Sequence, residues 1–367
     1  MKVKNYWKSF DQIIFFSVFA LIVFGLVAVS SASAVLSFQR FGNNNYYFFR
    51  QILFASVGMA LLYITSRIDY HVWRKWSRLI LVLGLLSLAA VLVPQVGFAT
   101  GNTRSWFSIG RFLLQPSEFM KLAVIFYFAS WFERKKGAET NFWFGILPPL
   151  LVLGVVISLV VLEPDLGTAS VIALIAVSVL FAAGTAFRYL FALGGVGVAA
   201  LWILIKAAPY RAARVVTFLD PSLDPRGIGY HINQALLAIG SGGFWGYGFG
   251  GSRQKHNYLP EPIGDSIFAV MAEELGFIRI VIIVLLFLVF AIAGIRLAKQ
   301  APDKFGQLTA IGVTAWVVFQ AFMNIGAIIG IMPLTGITLP FISYGGSSLL
   351  ALCLGIGVML NISRQRV

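Results

Sequence analysis

Residues 266–295 read SIFAVMAEELGFIRIVIIVLLFLVFAIAGI, with no charge beyond Glu273, Glu274 and Arg279. A continuous helix over these positions would rise roughly 45 Å, more than the ~30 Å hydrocarbon core of a bilayer. The run therefore reads as a membrane-crossing helix whose first turns stand in a polar cavity rather than in lipid. Working outward, further apolar runs fall at 12–35, 48–66, 77–94, 116–132, 141–162, 167–186, 188–208, 305–330 and 341–362. Each is near the ~20 residues that a span requires. The expected fold is all-α: a polytopic membrane protein of about ten transmembrane helices. It forms a single domain over 1–367, with one long extracytoplasmic loop, 209–265, between the seventh and eighth spans.

Composition agrees. Of 367 residues, 59% are hydrophobic and 11% charged, where a soluble domain carries about 25% charged residues. A soluble globular enzyme and a disordered chain are both excluded. A single cysteine, Cys353, excludes a disulfide framework and Cys-based metal sites. Three scattered histidines, His71, His231 and His256, argue against a His-rich metal cluster.

The net charge of +14 reads as topology, not as nucleic-acid binding. Lys2, Lys4, Lys8, Arg67, Arg74, Lys75, Arg78, Arg134, Lys135, Lys136, Arg188, Arg296, Lys299, Lys304, Arg364 and Arg366 fall on one side if ten spans alternate. Only Arg40, Arg50, Arg104 and Arg111 occupy the short loops opposite. Lys/Arg-rich loops are cytoplasmic, which places both termini inside. The start imitates a secretory signal, with Ala32-Ser33-Ala34 after an apolar stretch. That stretch is too long for such a signal, and it reads as an uncleaved first span.

The long loop is Gly-rich around Gly242-Gly243 and Gly246-Tyr247-Gly248-Phe249-Gly250-Gly251. No strand precedes these glycines and no βαβ unit surrounds them, so a dinucleotide site is rejected. Within the loop, 228–239 reads as a short amphipathic helix that could lie at the membrane interface.

Intramembrane charge is costly, so each instance needs a partner, a wet cavity or a function. Glu118 and Lys121 open the fourth span three residues apart, on one helix face. They read either as a self-neutralising pair or as a charged cavity wall. Asp165, in Glu163-Pro164-Asp165-Leu166-Gly167-Thr168, reads as a cap of the sixth span or as part of the site. Asp265 stands near the start of the eighth span and could cap it. Capping does not explain Glu273 and Glu274 further along the same helix, whereas a wet acidic site does. Arg211, Arg214, Arg226, Arg253 and Lys255 are either ordinary solvated charge or a surface for an anionic head group such as a diphosphate. The residues alone describe an outward-facing polar site fed from the bilayer. ATP is absent from that face, so a reaction there needs an already activated substrate.

These stretches resemble the SEDS family, the FtsW/RodA/SpoVE proteins of bacteria, over nearly the whole chain. The resemblance rests on Arg104-Ser105-Trp106, Gln115-Pro116-Ser117-Glu118 with Lys121, and Pro164-Asp165-Leu166-Gly167-Thr168. It continues through 211–225 with Phe218-Leu219-Asp220-Pro221, then 234–243, then Tyr258-Leu259-Pro260-Glu261 to Asp265 and Glu273-Glu274-Leu275-Gly276-Phe277. It ends in Pro333-Leu334-Thr335-Gly336 and Pro340-Phe341-Ile342-Ser343-Tyr344-Gly345-Gly346-Ser347-Ser348. Residues 255–270 are more similar to FtsW and SpoVE than to RodA, which implies a division role. Arg279 departs from the pattern, standing where the family's glycine is expected.

The resemblance implies a peptidoglycan glycosyltransferase that polymerises lipid II on the outer face of the cytoplasmic membrane of a bacterium, at the division septum. It implies Asp265 as the catalytic residue, and Glu118, Lys121, Arg104, Arg211, Arg214, Lys255, Glu273, Glu274 and Ser343 as substrate-binding or cavity-lining. No residue is assigned to a metal; a divalent cation (Mg or Mn) is expected as a candidate cofactor, with no organic cofactor. The implied partners are lipid II, a class B penicillin-binding transpeptidase, other divisome proteins and membrane lipids, with no nucleic acid. The chemistry suits a lone acceptor-side carboxylate, because a polyprenyl diphosphate leaves without protonation and only the attacking hydroxyl needs a base. The alternatives are a lipid II flippase, which shares the substrate and makes no bond, and a scaffold that only recruits partners.

Overall fold

The computed structural model describes residues 6–100, 103–110, 112–135, 137–220 and 227–365. Lys2, Lys4, Arg111, Lys136, Arg226, Arg366 and the 221–225 part of the loop motif lie outside the described residues. Helices dominate. The chain runs through α1 (Tyr6–Phe41), α2 (Tyr46–Arg67) and α3 (His71–Leu92), then the strands β1 (Gly97–Thr100), β2 (Thr103–Ile109) and β3 (Phe112–Leu114). Next come α4 (Pro116–Arg134), a π-helical turn (Phe142–Ile146) that leads into α5 (Leu147–Leu162), α6 (Leu166–Ala183) and α7 (Phe187–Lys206). The long loop holds α8 (Pro209–Leu219) and α9 (Ile228–Gly242); α10 (Ile267–Lys299), α11 (Lys304–Ile328) and α12 (Gly346–Arg364) follow.

Among the described residues, nine helices are long and apolar enough to cross a membrane: α1, α2, α3, α5 with its π-turn, α6, α7, α10, α11 and α12. The protein is a multi-pass membrane protein. Helix α4 is a further helix of membrane length, at 19 residues, and it carries Glu118, Lys121, Glu133 and Arg134. It buries 14 of its 19 residues, Glu118 and Lys121 among them, so these two charges meet protein instead of lipid. Pro116 starts it, where a missing N–H costs nothing.

Helix α4 packs on α3, α6 and α11; α11 also meets α6 and α10; α2 lies along α12. Small residues bring α2 and α12 close, with Gly357 against Thr65 and Leu62, and Gly58 against Cys353. Cys353 is fully buried there, a packing residue. The outermost helix, α7, buries no side chain.

Three departures from the sequence reading stand out. The stretch between α3 and α4 forms a small antiparallel sheet in the order β1-β2-β3. Its strands of three to seven residues are too short to announce themselves by alternation. The short amphipathic helix exists as α9, but it packs on α10 and buries Ile232, Ala235 and Ala238. Helix α8 precedes it.

The third departure concerns α10. The expected overlong helix is broken at Gly276, whose φ is 74° and ψ 173°. The part after the break, 277–299, is about 34 Å long at a helical rise of ~1.5 Å per residue, a full span by itself. The part before it is packed inside protein, with Ile267, Ala269 and Val270 at 0–1% exposure. The break opens the helical ladder, and the Gly-rich loop repairs it. Tyr247 N and Gly248 N donate to the carbonyls of Glu273 and Glu274, while Phe277 N and Ile278 N donate to those of Gly243 and Phe244. Arg279 braces the junction by donating from Nη1 to the Trp245 carbonyl at 2.9 Å and the Leu275 carbonyl at 3.4 Å. A Cβ at Gly276 would overlap Gly246 N, Trp245 C and Phe244 O. Gly276→Ala combines this backbone clash with a conformation that L-residues avoid, and is expected to destabilise the fold by at least about 3 kcal/mol. A large drop in thermal midpoint in detergent would show this; an unchanged midpoint would mean that the break is not required.

The segment 329–345, between α11 and α12, is non-helical, and its second half is buried: Leu339, Phe341, Ile342 and Ser343 are all below 5% exposure. Irregular backbone is tolerated inside a membrane protein only where its polar groups find partners. Here Gln320 and Asn324 of α11 donate to the Thr338 and Ile337 carbonyls, and Ser343 Oγ accepts from Leu339 N.

Candidate active site

Asp265 sits in the turn that delivers the chain into α10. Three residues, one on α11 and two in the segment that follows it, hold that turn by its backbone. Asn324 Nδ2 donates to the Asp265 carbonyl at 2.9 Å, Ser343 Oγ donates to the Gly264 carbonyl at 2.7 Å, and Tyr344 N donates to the Ile263 carbonyl at 2.9 Å. The carboxylate itself does not cap α10; Ser266 occupies the cap position and makes no side-chain capping bond. Asp265 Oδ1 accepts from Ser266 Oγ at 3.3 Å. Among the described residues, Oδ2 accepts no hydrogen bond. Burial pushes the Asp265 carboxyl up to about 7, Glu261 adds repulsion, and Arg214 of α8 pulls the other way. A carboxylate held off its helix, with one oxygen that no side chain of the described residues occupies and a proton affinity near neutrality, is equipped to take a proton from a hydroxyl.

The second group lies across α11. Lys121 Nζ donates to Glu118 Oε1 at 2.7 Å and to Gln320 Oε1 at 2.9 Å, and stands 5.3 Å from the Trp316 ring centre. Both charges are inside the protein, Lys121 at 1% and Glu118 at 5% exposure. Trp316, Gln320 and Asn324 recur every four residues on one face of α11. That face joins the two groups: Gln320 holds Lys121 and Thr338, while Asn324 holds Asp265 and Ile337.

Asp165 takes the capping role. Its Oδ1 accepts from Thr168 N at 2.9 Å, and its Oδ2 accepts from Gln115 Nε2 at 3.2 Å. Beside it, Glu163 is fully buried, and neither of its carboxyl oxygens has a hydrogen-bond partner among the described residues. Burial first, and the Asp165 charge second, push Glu163 up to about 8. Its folded pKa lies above the ordinary 4.5, so wild-type stability declines as pH rises between those values. Glu163→Gln, neutral in both states, removes this dependence. It is expected to raise the thermal midpoint at neutral pH by a margin that vanishes toward pH 4.5 and levels off above about 8. Parallel midpoint curves for the two proteins would refute it.

The other expected site residues divide. Arg214 acts on Asp265 through charge alone and donates from Nη1 to the Leu334 carbonyl at 3.3 Å. Arg211 Nη1 donates to the Leu204 carbonyl at 3.1 Å, back onto α7. Arg104, on β2, packs its stem against Gly97, and its Nε is buried without a partner. Ser343 acts on the turn before Asp265, as above. Lys255 and Glu274 each line a cavity, and with Glu273 they are also bonded inside the protein. Lys255 is not a solvated cation: its Nζ donates to Glu274 Oε1, Ser31 Oγ and the Gly250 carbonyl, each at 2.9 Å. Glu273 accepts from Ser252 Oγ, Arg253 N and Gln254 N. The acidic column expected along α10 is therefore a buried clamp on the Gly-rich loop, because the helix turns these side chains into protein. Among the described residues, no group of three or more His, Cys, Asp and Glu could hold a metal ion, and no step of the reaction is assigned to one.

Comparison with known proteins places the whole chain. The FtsW/RodA/SpoVE family model, described as "Cell cycle protein", matches residues 11–367. The chain belongs to this family. It is 42% identical over 344 residues to the stage V sporulation protein E of Bacillus subtilis, covering 94% of each chain. It is 38% identical over 355 residues to a probable peptidoglycan glycosyltransferase FtsW of Trichlorobacter lovleyi, covering 97% of this chain and 93% of that one. Its fold superposes on a chain of a peptidoglycan synthase complex with a TM-score of 0.80 at 30% identity, over 96% and 97% of the two chains. It also superposes on the RodA of Thermus thermophilus with a TM-score of 0.71 at 28% identity, over 96% of each chain.

Sequence reading missed His231, Ser266, Gln320 and Asn324. Two of them carried a signal: Gln320 and Asn324 are amide side chains four apart inside an apolar span, which marks one inward face. His231 and Ser266 gave none, since their meeting depends on how α9 lies on α10.

Proposed function

We propose that the protein is a peptidoglycan glycosyltransferase that polymerises lipid II, with Asp265 as general base. The observation that carries this reading is the Asp265 carboxylate: largely desolvated, freed from capping, and fixed by Asn324, Ser343 and Tyr344 through its own backbone. In the reaction, the acceptor sugar hydroxyl gives its proton to Asp265 Oδ2 as its oxygen attacks the anomeric carbon of the donor. The bond from that carbon to the diphosphate breaks, and the electron pair leaves on the diphosphate. Arg214 supplies positive charge on that side. Glu118 and Lys121 serve from inside, locking α4 to the face of α11 that holds Asp265. The orientation follows the Lys/Arg bias, with both termini cytoplasmic and Asp265 outside, where lipid-anchored activated sugars are the available donors. Relatives named FtsW support a division role. The resemblance to a synthase complex that couples polymerization and crosslinking supports a class B transpeptidase partner.

The test is glycan polymerisation from purified lipid II by the protein together with its candidate transpeptidase, with and without chelator. Polymer is expected. Absence of polymer while lipid II still crosses vesicles would replace the enzyme with a flippase.

A further inference from the structure

His231 has no part in the reaction as described, yet it reaches toward the base. It lies on α9, one element away from Asp265, and its Nε2 is 2.6 Å from Ser266 Oγ. The same hydroxyl donates to Asp265 Oδ1. A serine hydroxyl has one proton. If that proton goes to Asp265, the 2.6 Å bond requires His231 to donate from Nε2. The ring is neutral: burial, aided by the Arg214 charge, pulls His231 down to about 4. A neutral ring has one N–H, and its place on Nε2 decides where the serine proton points.

The groups around the carboxylate are few and come from separate elements. Arg214 comes from α8, His231 from α9, Glu261 from the turn itself and Asn324 from α11. Of these, Arg214 and Glu261 act through charge, and Asn324 binds only the backbone carbonyl. Ser266 is the only one of the described residues whose side chain hydrogen-bonds the carboxylate, and its hydroxyl also bonds His231 Nε2.

We infer that His231 is a positioning residue for Asp265: through Ser266 it occupies Oδ1 with a donor and leaves Oδ2 as the oxygen that meets the acceptor hydroxyl. The inference rests on Asp265 being the base. It deepens that reading by making the base a three-residue chain drawn from α9 and the start of α10. Its signature is electrostatic. A donor on Oδ1 favours the ionised carboxylate. Removing His231 frees the serine hydroxyl to turn away, and the carboxyl then holds its proton to higher pH.

The experiment measures initial polymerisation rates of the full chain with its transpeptidase partner, across the neutral pH range. The proteins are wild type, His231→Gln, His231→Phe, Ser266→Ala and Asp265→Asn. Glutamine can still donate to Ser266, so His231→Gln is expected within about threefold of wild type. His231→Phe and Ser266→Ala are each expected to lose about ten- to thirtyfold at pH 7, the scale of one hydrogen bond to a charged group. Both are expected to move the acidic limb of the profile upward by about one pH unit. His231→Phe combined with Ser266→Ala should be no worse than Ser266→Ala alone, since both changes cut one chain. A purely structural histidine would lower the rate equally at every pH, and that result would overturn the inference. Ser266→Ala makes the smallest change in volume and tests the chain independently of packing at 231. An inactive Asp265→Asn beside a His231→Phe enzyme with an unmoved acidic limb would sink the histidine role alone. An active Asp265→Asn would sink the general-base reading and the inference with it.

Discussion

Asp265→Asn is expected to lower polymerisation by about 10²–10⁴-fold, the range that a positioned general base supplies. The substitution keeps shape and leaves the backbone contacts of Asn324, Ser343 and Tyr344 in place, so folding and lipid II binding should survive. The wild-type pH profile carries the same information. The base works only when ionised, and burial holds Asp265 at about 7. Turnover is expected to rise with pH through that value and level off above it. A flat profile through neutrality in wild type, or a well-folded Asp265→Asn that polymerises normally, would clear Asp265 and send attention to Glu118.

Lys121→Met is the second large effect, and it acts on stability. The ammonium lies at 1% side-chain exposure, 2.7 Å from a Glu118 carboxylate at 7%. Removing it leaves that carboxylate buried and uncompensated, with Glu118 Oε2 already lacking a partner. Breaking such a pair costs about 3–5 kcal/mol. Gln320 Oε1 loses one of its two donors at the same time, keeping Trp316 Nε1. Glu118→Gln combined with Lys121→Met removes both charges and is expected to recover most of the thermal midpoint, because two neutral groups carry no desolvation penalty for charge. The double variant should recover activity less fully, since the link from α4 through Gln320 to the α11 face is still missing. A stable, active Lys121→Met protein would show that the pair is dispensable.

The legible part of this protein was its one-dimensional part. Span lengths, the basic loops, and the charges of Glu118, Lys121, Asp165 and Asp265 could be read from the chain, because insertion into a membrane is decided segment by segment by hydropathy and length. The pairing of Glu118 with Lys121 was also local, three residues on one helix. Apart from the small sheet at 97–114, whose strands are too short to show alternation, the readings that changed involved contacts between segments. Lys255, read as solvated charge or as part of an anion-binding surface, is the partner of Glu274, while Glu273 and Glu274, read as a wet acidic site, clamp the Gly-rich loop. The overlong α10 looked continuous and is broken at Gly276, where the loop at 243–248 supplies the missing hydrogen-bond partners.

The amino-acid sequence alone determined that this chain crosses the membrane many times, and that its charges gather toward one end of the bundle. Only the tertiary structure decided which of those charges are spent on each other and which is left to react. Asn324 meets Asp265 across 59 positions, Lys121 meets Gln320 across 199, and His231 meets Ser266 across 35. Hydropathy is a property of each segment. A hydrogen bond between segments exists only once packing has set their separation to within a few tenths of an ångström, and that separation is a property of the whole bundle.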